Sequence, residues 1–104
     1  MNELPESLPA TPELLRLAER VVWFKAPEAA LLDPPHLVAH AFTFGTPDDV
    51  RTLRRHLTDS QLRAALQRAP AGVFDARSWA YWNLMLDRPV TPLPRRTLGA
   101  IIPT

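Results

Sequence analysis

The chain has 104 residues, 46% of them apolar and 22% charged, with a formal net charge of +1. That length supports one domain with a single modest core, and so balanced a charge gives no long-range pull toward nucleic acid or an anionic membrane. Cysteine is absent, which excludes disulfides and thiolate metal sites.

The opening stretch, MNELPESLPATPELLR, carries Glu3, Glu6 and Glu13 and no apolar run. It does not read as a secretory leader. No stretch approaches the roughly eighteen uncharged apolar residues of a spanning helix, so the expected compartment is the cytoplasm. Residues 1–10 read as an N-terminal arm, 11–88 as one helical domain and 89–104 as a tail.

Twelve prolines punctuate the chain. Thr11-Pro12-Glu13 supplies an N-cap, a first helical residue and an acid on the positive end of the dipole. The helix that follows carries Leu14, Leu15, Leu17, Ala18 and Val21 and is predicted to reach about Val22. Pro27 opens a short helical turn, PEAALLD. Asp33 before Pro34-Pro35 caps a third helix, PPHLVAHAFTF, which Gly45 is expected to close in the left-handed conformation.

Thr46-Pro47-Asp48-Asp49 restarts the chain at once as a fourth helix, with Val50, Leu53 and Leu57 at helical spacing. Thr58-Asp59-Ser60-Gln61 has capping-box spacing and opens a fifth, with Leu62, Ala65 and Leu66 inward. Pro70 and Gly72 end it. Asp75 caps a sixth helix from about Ala76 to Leu86. Beyond Asp87, prolines 89, 92 and 94 favour an extended, polyproline-like tail. Period-two alternation is missing throughout. The expected fold class is all-α, a compact bundle of about six short helices with an extended Pro-rich C-terminal tail.

The sixth segment, FDARSWAYWNLML, is apolar around most of its circumference. On a helical wheel Trp79, Trp82 and Leu86 share one stripe, while Phe74, Tyr81 and Met85 lie opposite. Only Asn83, Asp87 and Arg77 interrupt, so this helix is expected at the centre of the bundle, its aromatics in the core. One tryptophan edge, of Trp79 or Trp82, is the candidate exception, because such rings anchor interfaces.

Chemistry-bearing constellations are sparse. His36 and His40 stand four apart and share a helical face, but a metal site needs more ligands. They read as two partly exposed surface histidines, and neither metal nor cofactor is expected. Ser7, Ser60 and Ser78 sit on no glycine-framed elbow. Three glycines cannot build a phosphate cradle, and Asp48, Asp49, Asp59 and Asp75 are explained as helix starts. An enzyme is not expected.

Eleven arginines stand against one lysine, Lys25, most simply a GC-rich coding bias. Arg51, Arg54 and Arg55 form one basic stripe on the fourth helix, with Arg63 and Arg68 on the fifth. Helices at 47–57 and 59–68 could serve a DNA-binding transcriptional regulator, although the turn between them lacks glycine. Arginine is equally suited to a protein partner.

VVWF, then LDPPHLVAHAFTFGTPDDVRTLRRHLTDSQLRAAL, then FDARSWAYWNLML resembles a family of small uncharacterised all-helical bacterial proteins, over about Val21 to Arg88. Gly45-Thr46, Asp49, Leu53, His56, Trp79 and Trp82 carry the resemblance, while the long Pro/Arg tail departs from it. Members are often encoded beside AbiE-type nucleotidyltransferases and are proposed to be their antitoxin-like partners. The resemblance implies a non-enzymatic interaction domain that binds and occludes such an enzyme. The expected partner-binding residues are Arg51, Arg54, Arg55, Trp79 and Trp82. The alternatives are the DNA-binding regulator and a self-associating structural protein.

Overall fold

The computed structural model describes residues 4–94, and these form six helices that take up 59% of the described residues. The helices are α1 (Pro12–Val21), α2 (Pro27–Ala30), α3 (Pro34–Phe44), α4 (Pro47–His56), α5 (Asp59–Gln67) and α6 (Ala76–Met85). No strand occurs among the described residues. The tail beyond Pro94, with Leu98, Ile101 and Ile102, lies outside them.

Each start follows from local chemistry. Thr11, Asp33, Thr46, Thr58 and Asp75 all accept a hydrogen bond from the backbone N–H three residues on. Thr46/Asp49 and Thr58/Gln61 are complete capping boxes, each side chain satisfying the other's backbone. Four helices carry proline in the first turn, where a missing N–H costs nothing.

The bundle is built around α3, not α6. Helix α3 packs on α1, α2, α4, α5 and α6, and eight of its residues, Pro34, Pro35 and Leu37 to Phe42, are buried. Helix α6 packs chiefly on α3. Its inward line is Trp79, Asn83 and Leu86, while Tyr81, Leu84 and Met85 face solvent. Both helices are apolar around most of their circumference in sequence. The difference is that α3 packs on all five other helices, whereas α6 packs chiefly on α3 alone and forms an edge.

The core combines Leu14, Leu17, Leu37, Leu53, Leu62 and Leu66, all at most 1% exposed. Each such side chain contributes about 1.5–3 kcal/mol through area removed from water. Leu4 and Leu8 join this core, and the Leu8 N–H donates to the Leu31 carbonyl at 2.8 Å. At the other end Leu93 packs against the core, so residues 89–94 run back along the domain.

Two helix ends differ from expectation. Gly45 is extended (φ −80°, ψ 166°), not left-handed. Glycine is required there for space: a Cβ would sit 2.5 Å from the Ala41 carbonyl oxygen and 3.1 Å from the Asp49 Cβ. Positive φ falls instead at Gly72 (φ 85°) and, ending α6, at Asp87 (φ 57°). Arg88 N–H donates to the Asn83 carbonyl and Asp87 N–H to the Leu84 carbonyl, the two bonds of a Schellman ending on α6.

Candidate functional site

The short Gly45 turn sets α4 directly against the end of α3, and α6 crosses the same end. Between α4 and α6 lies an open groove of about 370 Å³. Phe42 and Trp82 make its floor, stacked with centroids 3.9 Å apart. Tyr81 and Met85 form one wall, and Val50, Arg51 and Arg54 the other. Tyr81 meets Trp82 edge-on at 5.0 Å.

Three of the five expected partner-binding residues, Arg51, Arg54 and Trp82, therefore come together. The other two do not. Arg55 turns away to α1, where Glu13 accepts from it at 2.9 Å and also meets His56. These two partners hold the Glu13 carboxyl below the usual range, the Arg55 hydrogen bond most of all. The three arginines are therefore not one stripe. Trp79 is buried, and its indole N–H donates to the Thr91 carbonyl at 2.8 Å. Arg88 covers its ring and pairs with the buried Asn83 amide. Phe74, expected on the far side from Trp79, meets it edge-on at 5.1 Å. It precedes the Asp75 cap, so helical spacing does not govern where it points.

The groove arginines are tied locally. Arg51 pairs with Asp48, and Arg54 with Asp59 at 2.6 Å across the α4–α5 turn. All four side chains are exposed, so each pair adds at most about 1 kcal/mol. Arg20 of α1 pairs with Asp49, whose side chain is only 2% exposed. Burial raises the Asp49 carboxyl, but the Thr46 N–H, the Arg20 guanidinium and the Thr46 hydroxyl outweigh it and hold the group below its ordinary value.

A second apolar surface lies across α3 from the groove. Trp23, Phe24 and Phe44 are exposed there around His36 and His40, whose rings stand 4.2 Å apart. His40 is buried, not a surface residue, because Phe24 and Phe44 flank it and its Nδ1 bonds to the His36 carbonyl at 2.9 Å. His36 Nδ1 is buried without a partner. Burial first, then His40 and Lys25, lower the His36 pKa, against Asp33. Among the described residues no group of three or more histidines and carboxylates could hold a metal ion.

Sequence reading missed Tyr81 and Met85 as groove walls, having placed them in the core, and missed Trp23, Phe24 and Phe44 as an exposed cluster. The one available signal was the sixth segment's apolar character around most of its circumference, interrupted only by Arg77, Asn83 and Asp87. Among the described residues no helix is long and apolar enough to cross a membrane. No family model matches the chain, and no curated protein or solved structure does.

Proposed function

We propose that this chain is a non-enzymatic protein-interaction domain that works through the α4–α6 groove. One observation carries this reading: the groove collects Arg51, Arg54 and Trp82 beside the solvent-facing Tyr81 and Met85. An aromatic and methionine surface rimmed by arginine has the composition of a protein-binding hot spot. Its only charged groups are guanidiniums, which bind and do not exchange protons near neutral pH. The resemblance described above names a partner class, a nucleotidyltransferase encoded nearby, which the domain would occlude in an antitoxin-like manner.

Co-purification tests this directly. The neighbour-encoded protein should be retained by the intact chain and lose activity when the chain is added. If the two neither associate nor influence each other, the antitoxin-like reading fails. A duplex-DNA reader is less well supported, because the net charge is only +1 and Asp48 and Asp59 stand beside the groove arginines and would repel a phosphate backbone. Few phosphates would then be neutralised, and DNA binding should be weak and non-specific.

A further inference from the structure

We infer that the α4–α6 groove receives an acidic amphipathic helix from a different protein. Its apolar stripe would lie against Tyr81, Trp82 and Met85, and its carboxylates would reach Arg51 and Arg54. This inference rests on the interaction reading above and specifies the occupant.

The groove lies between two helices, and the described residues offer no strand edge to extend. Such a surface takes the apolar stripe of a helix, not an added strand. Charge then selects which helix. Arg51 and Arg54 line the groove, whereas their partners Asp48 and Asp59 do not. Each ion pair uses a single terminal nitrogen, NH2, of its guanidinium. A guanidinium carries five N–H donors in a planar fork. Both arginines therefore keep donors for an incoming carboxylate without surrendering the existing pair. Exposed pairs of this kind also exchange at little cost.

A second copy of the chain fits less well. A two-fold contact sets the same patch against itself, which would face Arg51 and Arg54 with their own counterparts across an apolar centre. Like charges so placed oppose association. A partner with acidic flanks removes the conflict.

The three tryptophans allow a site-resolved test. Trp82 forms the groove floor, Trp23 sits on the second apolar surface, and Trp79 is buried away from both. Their indole N–H signals in a ¹⁵N–¹H spectrum report each place separately. The probe is a synthetic helical peptide of about 15 residues, long enough to hold a helix, with leucine at i, i+3, i+4 and i+7 and glutamate flanking. Its counterpart carries lysine in place of glutamate. The acidic peptide should shift Trp82 and leave Trp23 and Trp79 unmoved, binding roughly tenfold tighter than the basic one. The double variant R51E/R54E, checked for an unchanged thermal transition, should invert that preference. A single Met85→Glu substitution should abolish the Trp82 shift.

Equal binding of both peptides, a shift confined to Trp23, or the same Trp82 shift from duplex DNA would overturn the inference. If the neighbour-encoded protein binds the intact chain and R51E/R54E alike while the acidic peptide does not bind, the interaction reading stands and the acidic helix falls. If neither binds, both fall.

Discussion

Trp82 is joined to Phe42 twice: their rings stack at 3.9 Å, and the indole N–H donates to the Phe42 carbonyl at 3.0 Å. This pair is the principal attachment of α6 to the rest of the bundle near the groove. Trp82 is half-buried, because its outer edge is groove surface. Trp82→Ala should therefore cost about 2–3 kcal/mol, below the full loss for a buried tryptophan. Trp82→Phe, which keeps the stack and loses the donor, should cost about 1 kcal/mol. Urea titrations of both variants check the order; equal losses would show that the hydrogen bond carries the attachment.

Asp49 is expected to contribute to the acid limit of the fold. Its carboxyl closes the α4 capping box and receives Arg20, and its folded pKa lies below that of the unfolded chain. For a depressed carboxyl, the contribution is present above the unfolded value of about 3.9 and is lost as pH falls through the lower folded value. Asp49→Ala should cost about 2 kcal/mol at neutral pH, from the lost cap and an unpaired Arg20. The variant should also lose less stability than the wild type between pH 5 and 2. Thermal melts over that range decide it; parallel curves would show that other carboxylates set the limit.

Opposite responses are expected at the two unusual helix ends. Gly45→Ala drives a methyl into the Ala41 carbonyl and should destabilise by about 1–3 kcal/mol, although φ there suits any residue. Asp87→Gly relieves a left-handed backbone at an exposed position and should stabilise by about 1 kcal/mol. Differential scanning calorimetry should show the melting temperature falling for the first and rising for the second.

The histidine pair should hold no tightly bound zinc in the purified protein. Elemental analysis showing one equivalent of metal, lost in His40→Ala, would reverse this. His36 has its pKa lowered by burial and by His40 and Lys25. A base depressed in the fold stabilises fully above its unfolded pKa, near 6.5, and that contribution declines as pH falls below it. His36→Asn should flatten the stability curve in that window.

Where the sequence was legible, the deciding interactions are local. All five side-chain caps reach only three residues, so Thr11, Asp33, Thr46, Thr58 and Asp75 announce their helices within one turn. The groove depends on longer reaches. Trp82 finds Phe42 40 residues away to make its floor, and Arg55 leaves it for Glu13 at 42. Nothing local in Arg51-Thr52-Leu53-Arg54-Arg55 says that two arginines turn to α6 and one to α1. Nor can a helical wheel separate α3 from α6: both are apolar around most of their circumference, and only the packing surrounds α3 with five helices and leaves α6 at an edge. Gly45 was recognised as a helix terminator, but the reason for glycine lies in the next helix, where the Asp49 Cβ closes the space.

The bond from Leu8 to the Leu31 carbonyl has a consequence for how the molecule opens. Helix α2 is a single turn, too short to persist alone. It is clamped between α1, α3 and the segment holding Leu4 and Leu8. That segment therefore belongs to the same cooperative unit as the helices, despite having no regular structure itself. Its Leu8 amide should exchange with deuterium at the slow rate of the bundle's interior, not at the rate of a solvated strand. Removing residues before Thr11 should leave α2 exchanging freely while α3 and α5 stay protected. The first part of the domain to loosen would then be the α1–α3 connection, on the Trp23 side, leaving the α4–α6 side intact.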